Sequence, residues 1–384
     1  MKNNVEKVEK CYGCSACFNI CPTKCISMKP NKRGFLEPVI DYEKCINCGA
    51  CIRICPRMKE YRKEVLKNPK TYILKNKSKE IRNISTSGGF FSSIADYFIE
   101  NNGVIYGCIV DEDLKIKHIR TECDYSRMRG SKYVQSDLGN TFAEIKKDLL
   151  DNKLVLFTGS PCQCAGLKTY LGKDYDNLYI IDFICHGPQS PLIWSEYINF
   201  LTEKNGKIKD YHFRTKLNGW HSHTEVIEYE SGIKEYDTLD SSLNKELFHL
   251  GLSLREACYH CQFTSLNRLG DITMGDAWGL EKIKPEFDDN LGTSLILINS
   301  EKGNKLFNQI KNTISYLEQD IEDYIVYNPR LKTSRPNSKK RDEFWKIYDK
   351  KGFKGIIKKY TGYSFFKKVK KIIKRILTKL HLWK

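Results

Sequence analysis

The 384-residue chain has no run of about 18 consecutive apolar residues, so no segment is expected to cross a bilayer as a helix. Its opening MKNNVEKVEK holds no apolar stretch of the kind a secretory leader needs, and a cytoplasmic protein is the expectation. Residues 351–384 contain no Asp or Glu while carrying twelve Lys or Arg, so this tail supplies most of the formal charge of +17. The body is close to balanced, and it lacks a basic groove interleaved with aromatics. Nucleic acid is therefore not an expected partner.

What the chain does have is cysteine. Nine of its sixteen cysteines fall in the first 60 residues. They read Cys11-x-x-Cys14-x-x-Cys17-x-x-x-Cys21-Pro22, and the pattern returns 34 residues later as Cys45-x-x-Cys48-x-x-Cys51-x-x-x-Cys55-Pro56. Two-residue gaps wrap a short loop around one iron–sulfur cube, and the fourth cysteine, before proline, serves the neighbouring cube. One 4Fe-4S cluster would take Cys11, Cys14, Cys17 and Cys55, and a second Cys45, Cys48, Cys51 and Cys21. Zinc also accepts Cys-x-x-Cys, but it has no use for the third cysteine or for the closing Cys-Pro. Cys25 has no counterpart in the second repeat, where Lys59 stands, and reads as a packed thiol. Thiols used as ligands suit a reducing compartment.

The length leaves room for more than a ferredoxin. A dicluster domain over 1–60, a larger mixed domain over 70–345 and a basic tail over 346–384 are expected. The fold class is thus α+β or α/β, with a small ferredoxin-like domain ahead of a large one. Apolar residues at 90, 91, 94, 95 and 98 have helical spacing behind Ser87-Gly88-Gly89. Backbone N–H groups at such a start can hold a phosphate, and equally the tripeptide can be a plain cap. In the loop Arg129–Ser136, Lys132 could face a phosphate and Tyr133 could stack on a ring; a solvated loop is the other reading. Strands are expected at 71–74, 104–110, 154–157, 178–184 and 292–299, with β alternation over 211–238 and a helix over 301–318.

Two strands end in cysteine-bearing turns, Gly159-Ser160-Pro161-Cys162 and Cys185-His186-Gly187. In a parallel sheet both turns would open on the carboxyl edge, where α/β proteins place their sites. Cys258-x-x-Cys261 needs two further ligands, and Cys162 and Cys185 can supply them. A third 4Fe-4S cluster, a zinc ion and unligated thiols are the three readings of this set. His221 and His223 share a strand face, as a metal pair or as two surface imidazoles. In 360–384, Phe365, Phe366, Val369, Ile372, Ile373 and Ile376 repeat at helical spacing among lysines. Such a helix suits an anionic membrane surface, which would make the protein peripheral at the inner face; packing on the body or a partner is the alternative.

Together the motifs Ser87-Gly88-Gly89, Gly130-Ser131-Lys132-Tyr133-Val134-Gln135, Gly159-Ser160-Pro161-Cys162-Gln163, Cys185-His186-Gly187, Cys258-x-x-Cys261, Asp271-Ile272-Thr273-x-Gly275-Asp276-x-Trp278-Gly279 and Gly292-Thr293-Ser294 resemble the coenzyme F-420 hydrogenase/dehydrogenase beta subunit family over roughly residues 70–320. The resemblance implies an iron–sulfur flavoprotein oxidoreductase. FAD would be held by Ser87, Gly88, Gly89, Lys132, Tyr133 and Gln135, and Cys162, Cys185, Cys258 and Cys261 would surround the proximal cluster. Electrons would pass between the clusters and a two-electron substrate, coenzyme F-420 or another small hydride carrier, or reach a redox partner protein. Members with a tail of this kind are also similar to proteins associated with surface-polysaccharide assembly. A cluster-bearing electron carrier without flavin is the competing function.

Overall fold

Gly13 and Ser15 in the first cysteine loop take left-handed backbone angles, and so do their repeat partners Asn47 and Gly49 in the second. Each loop curls the same way and feeds a short helix, α1 (Ala16–Ile20) and α2 (Ala50–Arg53). Between them strands β1 (Ile26–Pro30) and β2 (Leu36–Ile40) pair antiparallel, Ile26 opposite Ile40. The sequence repeat is thus a structural repeat. The computed structural model describes residues 4–59, 69–337 and 339–361.

After this module come β3 (Lys70–Asn76), β4 (Val104–Val110), β5 (Ile116–Thr121), β6 (Val155–Gly159) and β7 (Leu178–Phe183). Strands β8 (Ile208–Thr215), β9 (Thr224–Tyr229) and β10 (Lys234–Tyr236) make a separate antiparallel sheet. Then β11 (Ile272–Asp276), β12 (Ser294–Ile298) and β13 (Ile314–Gln319) complete a large sheet of order β13-β3-β12-β11-β7-β6-β4-β5. Its centre, β4-β6-β7-β11, is parallel, and the flanking pairs are antiparallel. The helices are α3 (Lys79–Ile84), α4 (Phe90–Glu100), α5 (Thr141–Leu150), α6 (Pro161–Leu171), α7 (Pro191–Asn205), α8 (Leu243–Leu250), α9 (Leu280–Ile283), α10 (Glu301–Ile310), α11 (Ile321–Ile325) and α12 (Lys339–Tyr360).

Central parallel strands are covered on both faces, which explains their uninterrupted apolar runs. Leu156 and Ile181 point toward α4 and α10, packing with Phe98 and Phe307. Their neighbours Val155, Phe157 and Ile180 point the other way, toward Phe142 of α5 and Leu167 of α6. Cys14 and Ala16 of the N-terminal module belong to this second core, so the module is packed on the α6 side of the sheet. The class is mixed α/β, with a small iron–sulfur-type module on a larger sheet domain.

Two expectations need correction. The helix expected over 301–318 stops at Ile310, and Ile314–Gln319 instead forms an edge strand along β3. Ile314 and Tyr316 favour an extended backbone, and the open edge of β3 supplies the ladder. The boundary expected at 346 falls inside α12, which bends at Gly352 (φ 60°, ψ −164°). Phe353 and Ile356 of that helix are buried with Trp194 and Phe213 of the body. The amphipathic segment proper, from 362, lies outside the described residues. Among those described, no helix is long and apolar enough to cross a membrane.

Candidate iron–sulfur centres and the joint between them

In the N-terminal module Cys11, Cys14, Cys17 and Cys55 line one cavity. Cys21, Cys45, Cys48 and Cys51 line a second, of about 460 Å³. These are the two crossed sets expected from the spacing. The left-handed turns at Gly13 and Asn47 double the chain back so that the next thiol faces the same point. Gly13 N donates to Cys11 Sγ at 3.3 Å. Burial, followed by the neighbouring Cys11 and Cys55, pushes the Cys17 thiol far above its ordinary range. Burial and Cys17 do the same to Cys14. Thiols in such surroundings become anions only when a cation compensates them, as iron does. Cys25 is buried, as expected of a packed thiol, yet its sulfur lies 3.3 Å from Cys21 Sγ on the wall of the second cavity.

The second cysteine set is assembled from distant elements. Strands β6 and β7 are adjacent and parallel, so the turns carrying Cys162 and Cys185 open at one sheet edge. Cys162 sits in the first turn of α6, behind a capping box in which Ser160 N donates to Gln163 Oε1 at 2.9 Å. Gly187 N donates to Cys185 Sγ at 3.3 Å. Gly187 has φ +93°, and a Cβ there would stand 3.0 Å from Cys258 Cβ, so glycine lets the two cysteine-bearing segments meet. Cys258 and Cys261 flank the end of a short 3-10 turn over Glu256–His260. Cys258 is pushed well up by burial and then by Cys185, Cys162 and Cys261, so all four thiols converge. Burial also moves Cys162 up to about 11 and Cys185 up to about 12.

Arg268, between Cys261 and β11, is buried beside this set. Its guanidinium is 2.8 Å from Asp182 and donates to the carbonyls of Phe263 and Phe183 at 2.9 and 3.0 Å. It thereby ties the loop after Cys261 to the end of β7 before Cys185. Thr273 Oγ1 and Gly270 N also donate to Asp182. The buried pair is fully hydrogen-bonded, the condition under which a buried ion pair is tolerated.

Between the two sets lies a close joint. A Cβ on Gly166, four residues after Cys162 on α6, would stand 2.9 Å from both Cβ and Sγ of Cys14. Arg255, three residues before Cys258 and almost wholly buried, donates to Cys11 O at 2.6 Å, to Leu36 O at 3.0 Å and to Gln135 Oε1 at 3.1 Å. Gln262 Nε2, next to Cys261, donates to Pro56 O at 2.9 Å, next to Cys55. The β1–β2 turn is wedged farther along: Ser190 Oγ donates to Arg33 O at 2.5 Å, Arg33 stacks 4.3 Å over Trp345, and Gly34 rests on Leu192. No signal in the sequence marked Arg255, Gly166 or Arg33.

The six residues expected at a flavin are only partly gathered. Ser131 N donates to Thr86 Oγ1 at 3.1 Å, bringing the Gly130–Tyr133 loop beside Ser87-Gly88-Gly89. Lys132 Nζ donates to the carbonyls of Arg127, Met128 and Arg129, and burial lowers its pKa to about 8. Lys216 Nζ donates to Ser87 O at 2.7 Å and Leu291 O at 2.6 Å. Lys216 Nζ also donates to Arg82 O, so the three N–H groups of each lysine are spent on backbone carbonyls and neither lysine is free for a phosphate. The ring side is closed as well. Gly88 is closed in by Leu74 O and Ser294, Tyr133 is stacked 4.2 Å from Phe248 inside the core, and Gln135 is committed to the joint. The Asp271–Gly279 motif instead presents Trp278, stacked on Trp220 at 5.2 Å with Arg214 lying 4.7 Å over it, an aromatic wall that no sequence signal assigned.

His221 and His223 are not a pair: His221 Nε2 meets Asp288 Oδ2 at 2.6 Å, while His223 Nε2 meets Phe213 O at 3.0 Å. His221, Glu281 and Asp288 could together reach one ion, though all three lie in surface loops or short helices.

Residues 152–323 match the family model for the C-terminal part of the coenzyme F420 hydrogenase/dehydrogenase beta chain. Residues 10–58 and 37–84 each match a 4Fe-4S dicluster domain. No curated protein matches the chain. Among solved structures it is similar to a chain of the xenon-derivatised F420-reducing [NiFe] hydrogenase complex from Methanosarcina barkeri. That similarity is at 16% identity, covers 74% of this chain and 92% of that chain, and has a TM-score of 0.44. The segment matched by the family model spans β6 to α11 and contains all four cysteines of the second set. Residues 152–323 are thus similar to the C-terminal region of the coenzyme F420 hydrogenase/dehydrogenase beta subunit, and residues 10–58 to a 4Fe-4S dicluster domain.

Proposed function

We propose that this chain is an iron–sulfur oxidoreductase subunit in which the dicluster module exchanges single electrons with a third 4Fe-4S site at Cys162, Cys185, Cys258 and Cys261. FAD beside the Ser87-Gly88-Gly89 turn would then exchange them as pairs with F-420 or another hydride acceptor. The observation that carries it is the convergence of those four thiols at the sheet edge, directly behind Cys14 of the module. Clusters bound in these sites supply one-electron transfer, and a flavin supplies the exchange between one- and two-electron chemistry. Cys14 and Gly166 keep the module and α6 in contact. Arg255 and Gln262 fix the two cysteine loops relative to each other. Arg268 holds the Cys261 loop to the end of β7, and Lys216 ties the carbonyls of Arg82, Ser87 and Leu291 together beside the turn.

Anaerobic reconstitution followed by iron and flavin analysis tests this. About twelve irons per chain correspond to three clusters, and about eight would remove the third. Bound flavin, bleached by a hydride donor such as reduced F-420, supports the two-electron site. A second reading, an electron-transfer subunit without flavin, is favoured by the packing of Tyr133 and Gln135 against protein groups. It expects full iron, no flavin and no turnover without a separate catalytic partner. The Lys-rich segment 362–384 would hold the protein at an anionic membrane surface. In that case the full chain floats with anionic vesicles and a chain ending at Thr361 does not; equal behaviour removes this part.

A further inference from the structure

Tyr12 lies between the first two cysteines of the dicluster loop and borders the first module cavity, while its ring reaches into the sheet domain. The ring packs with Ala165, Ala257 and Phe263, in the small apolar cluster that Cys162 and Cys261 also touch. Its centroid is 5.3 Å from that of Phe263, and the Arg57 guanidinium lies 5.9 Å from it. The residue is 7% exposed, and its hydroxyl is buried without a hydrogen-bond partner among the described residues. A buried hydroxyl that finds no acceptor is unusual in a native protein and asks for a missing partner. Arg57 can donate to the Tyr12 oxygen, but a guanidinium has no acceptor, so it leaves the O–H itself without one. The surrounding aliphatic and aromatic groups offer no acceptor either. Cys11, Cys14, Cys17 and Cys55 line the module cavity that Tyr12 borders, but the thiols that share the apolar cluster of its ring and act on its hydroxyl are Cys162 and Cys261.

We infer that the Tyr12 hydroxyl donates a hydrogen bond to sulfur of the group held by Cys162, Cys185, Cys258 and Cys261, making Tyr12 a positioning residue contributed by one iron–sulfur unit to the next. The inference rests on reading those four cysteines as a cluster site. Hydrogen bonds to cluster sulfur favour the more negative, reduced state and raise the reduction potential. Tyr12 therefore tunes the third site from outside the family-type domain. It does so only while the module is docked, since Gly13 and Cys14 follow it directly into the joint. Dicluster docking and the potential of the third site are thereby coupled. A single electron leaving a reduced module cluster for the third site forms and breaks no bond in Tyr12, which keeps its proton throughout.

The test is an EPR-monitored redox titration of the full chain, reconstituted anaerobically, as wild type and as Tyr12→Phe, with iron counted in the same samples. Phenylalanine keeps the ring packing and removes only the hydroxyl. The expected result is unchanged iron, a shift of one cluster to lower potential, and two clusters unmoved. Deuterium-exchange ENDOR on the reduced protein should lose one exchangeable proton coupling in the variant. Unchanged potentials and couplings at full iron overturn the inference while leaving the three-cluster reading intact. Wild-type iron sufficient for only two clusters overturns that reading, and the inference with it. Tyr12→Leu, equally without a hydroxyl, repeats the comparison if the Phe variant does not take up iron.

Discussion

The dicluster module and the sheet domain both gather cysteines, but by opposite means. In the module one local loop supplies three thiols, and left-handed turns at Gly13 and Asn47 do most of the shaping. In the sheet domain the thiols come from two strand ends and from a 3-10 turn far along the sequence, and the supports are long-range: the Arg268–Asp182 pair, the cap at Ser160 and the close approach at Gly187. A locally built site depends on its loop. An assembled one depends on the core that carries it, and should fail with that core.

The largest expected effect that could break this contrast comes from Arg268→Met. Both partners of the ion pair are buried, and the change leaves Asp182 charged and uncompensated among β7 and β11. A loss of about 3–5 kcal/mol is expected in denaturant unfolding. Iron at the assembled site should fall while the dicluster retains its own; loss from the dicluster first would reverse the argument. Adding Asp182→Leu should recover part of the stability.

Acid separates the two regions next. All eight histidines and all five tryptophans lie beyond the module. His118 of β5 is buried, with Nε2 3.1 Å from Thr158 O and its ring 5.7 Å from that of Phe157. Burial lowers its pKa to about 4. The unfolded chain therefore binds more protons than the folded one between about pH 6.5 and 4, and stability falls as pH drops through that window. The contribution of this one residue is about 3 kcal/mol. His118→Gln should flatten the pH dependence of the tryptophan-monitored unfolding midpoint. An unaltered slope would show that the imidazole titrates freely in the folded state.

The smallest effect sharpens the joint. Alanine is ordinarily the better helix former, yet Gly166→Ala drives a methyl against Cys14. Overpacking of this kind costs about 1–3 kcal/mol. Hydrogen exchange should quicken around α1 and the first cysteine loop with little change at β6 or β7. No change there would mean that the module does not depend on the contact.

Much of the first site was legible because cysteine spacing at short range is a geometric statement in itself. Cys162 and Cys185 were legible at one remove, through the rule that parallel strands share an edge. Arg255, Tyr12 and Gly166 were not, since each acts across elements far apart in the chain, and nothing in their local sequence distinguishes them. The stretch after Ile310 misled for the opposite reason. Its local pattern suited a continued helix, but the vacant side of β3 decided the outcome. Lys132 and Tyr133 were singled out for their chemistry, and the structure spends that chemistry on backbone carbonyls and on Phe248.

The wedged β1–β2 turn has a kinetic corollary. With Arg33 and Gly34 seated between α7 and α12, the module under the proposed function would be a fixed port rather than a swinging arm. Its outward side is the second cysteine loop, where Cys48 is exposed and Ile46 is 64% exposed. An external redox protein would collide with that loop, and every later hop would be internal to one rigid body. Turnover should then saturate with partner concentration at a ceiling set by the inner joint. Solvent viscosity should slow the encounter and leave that ceiling unchanged.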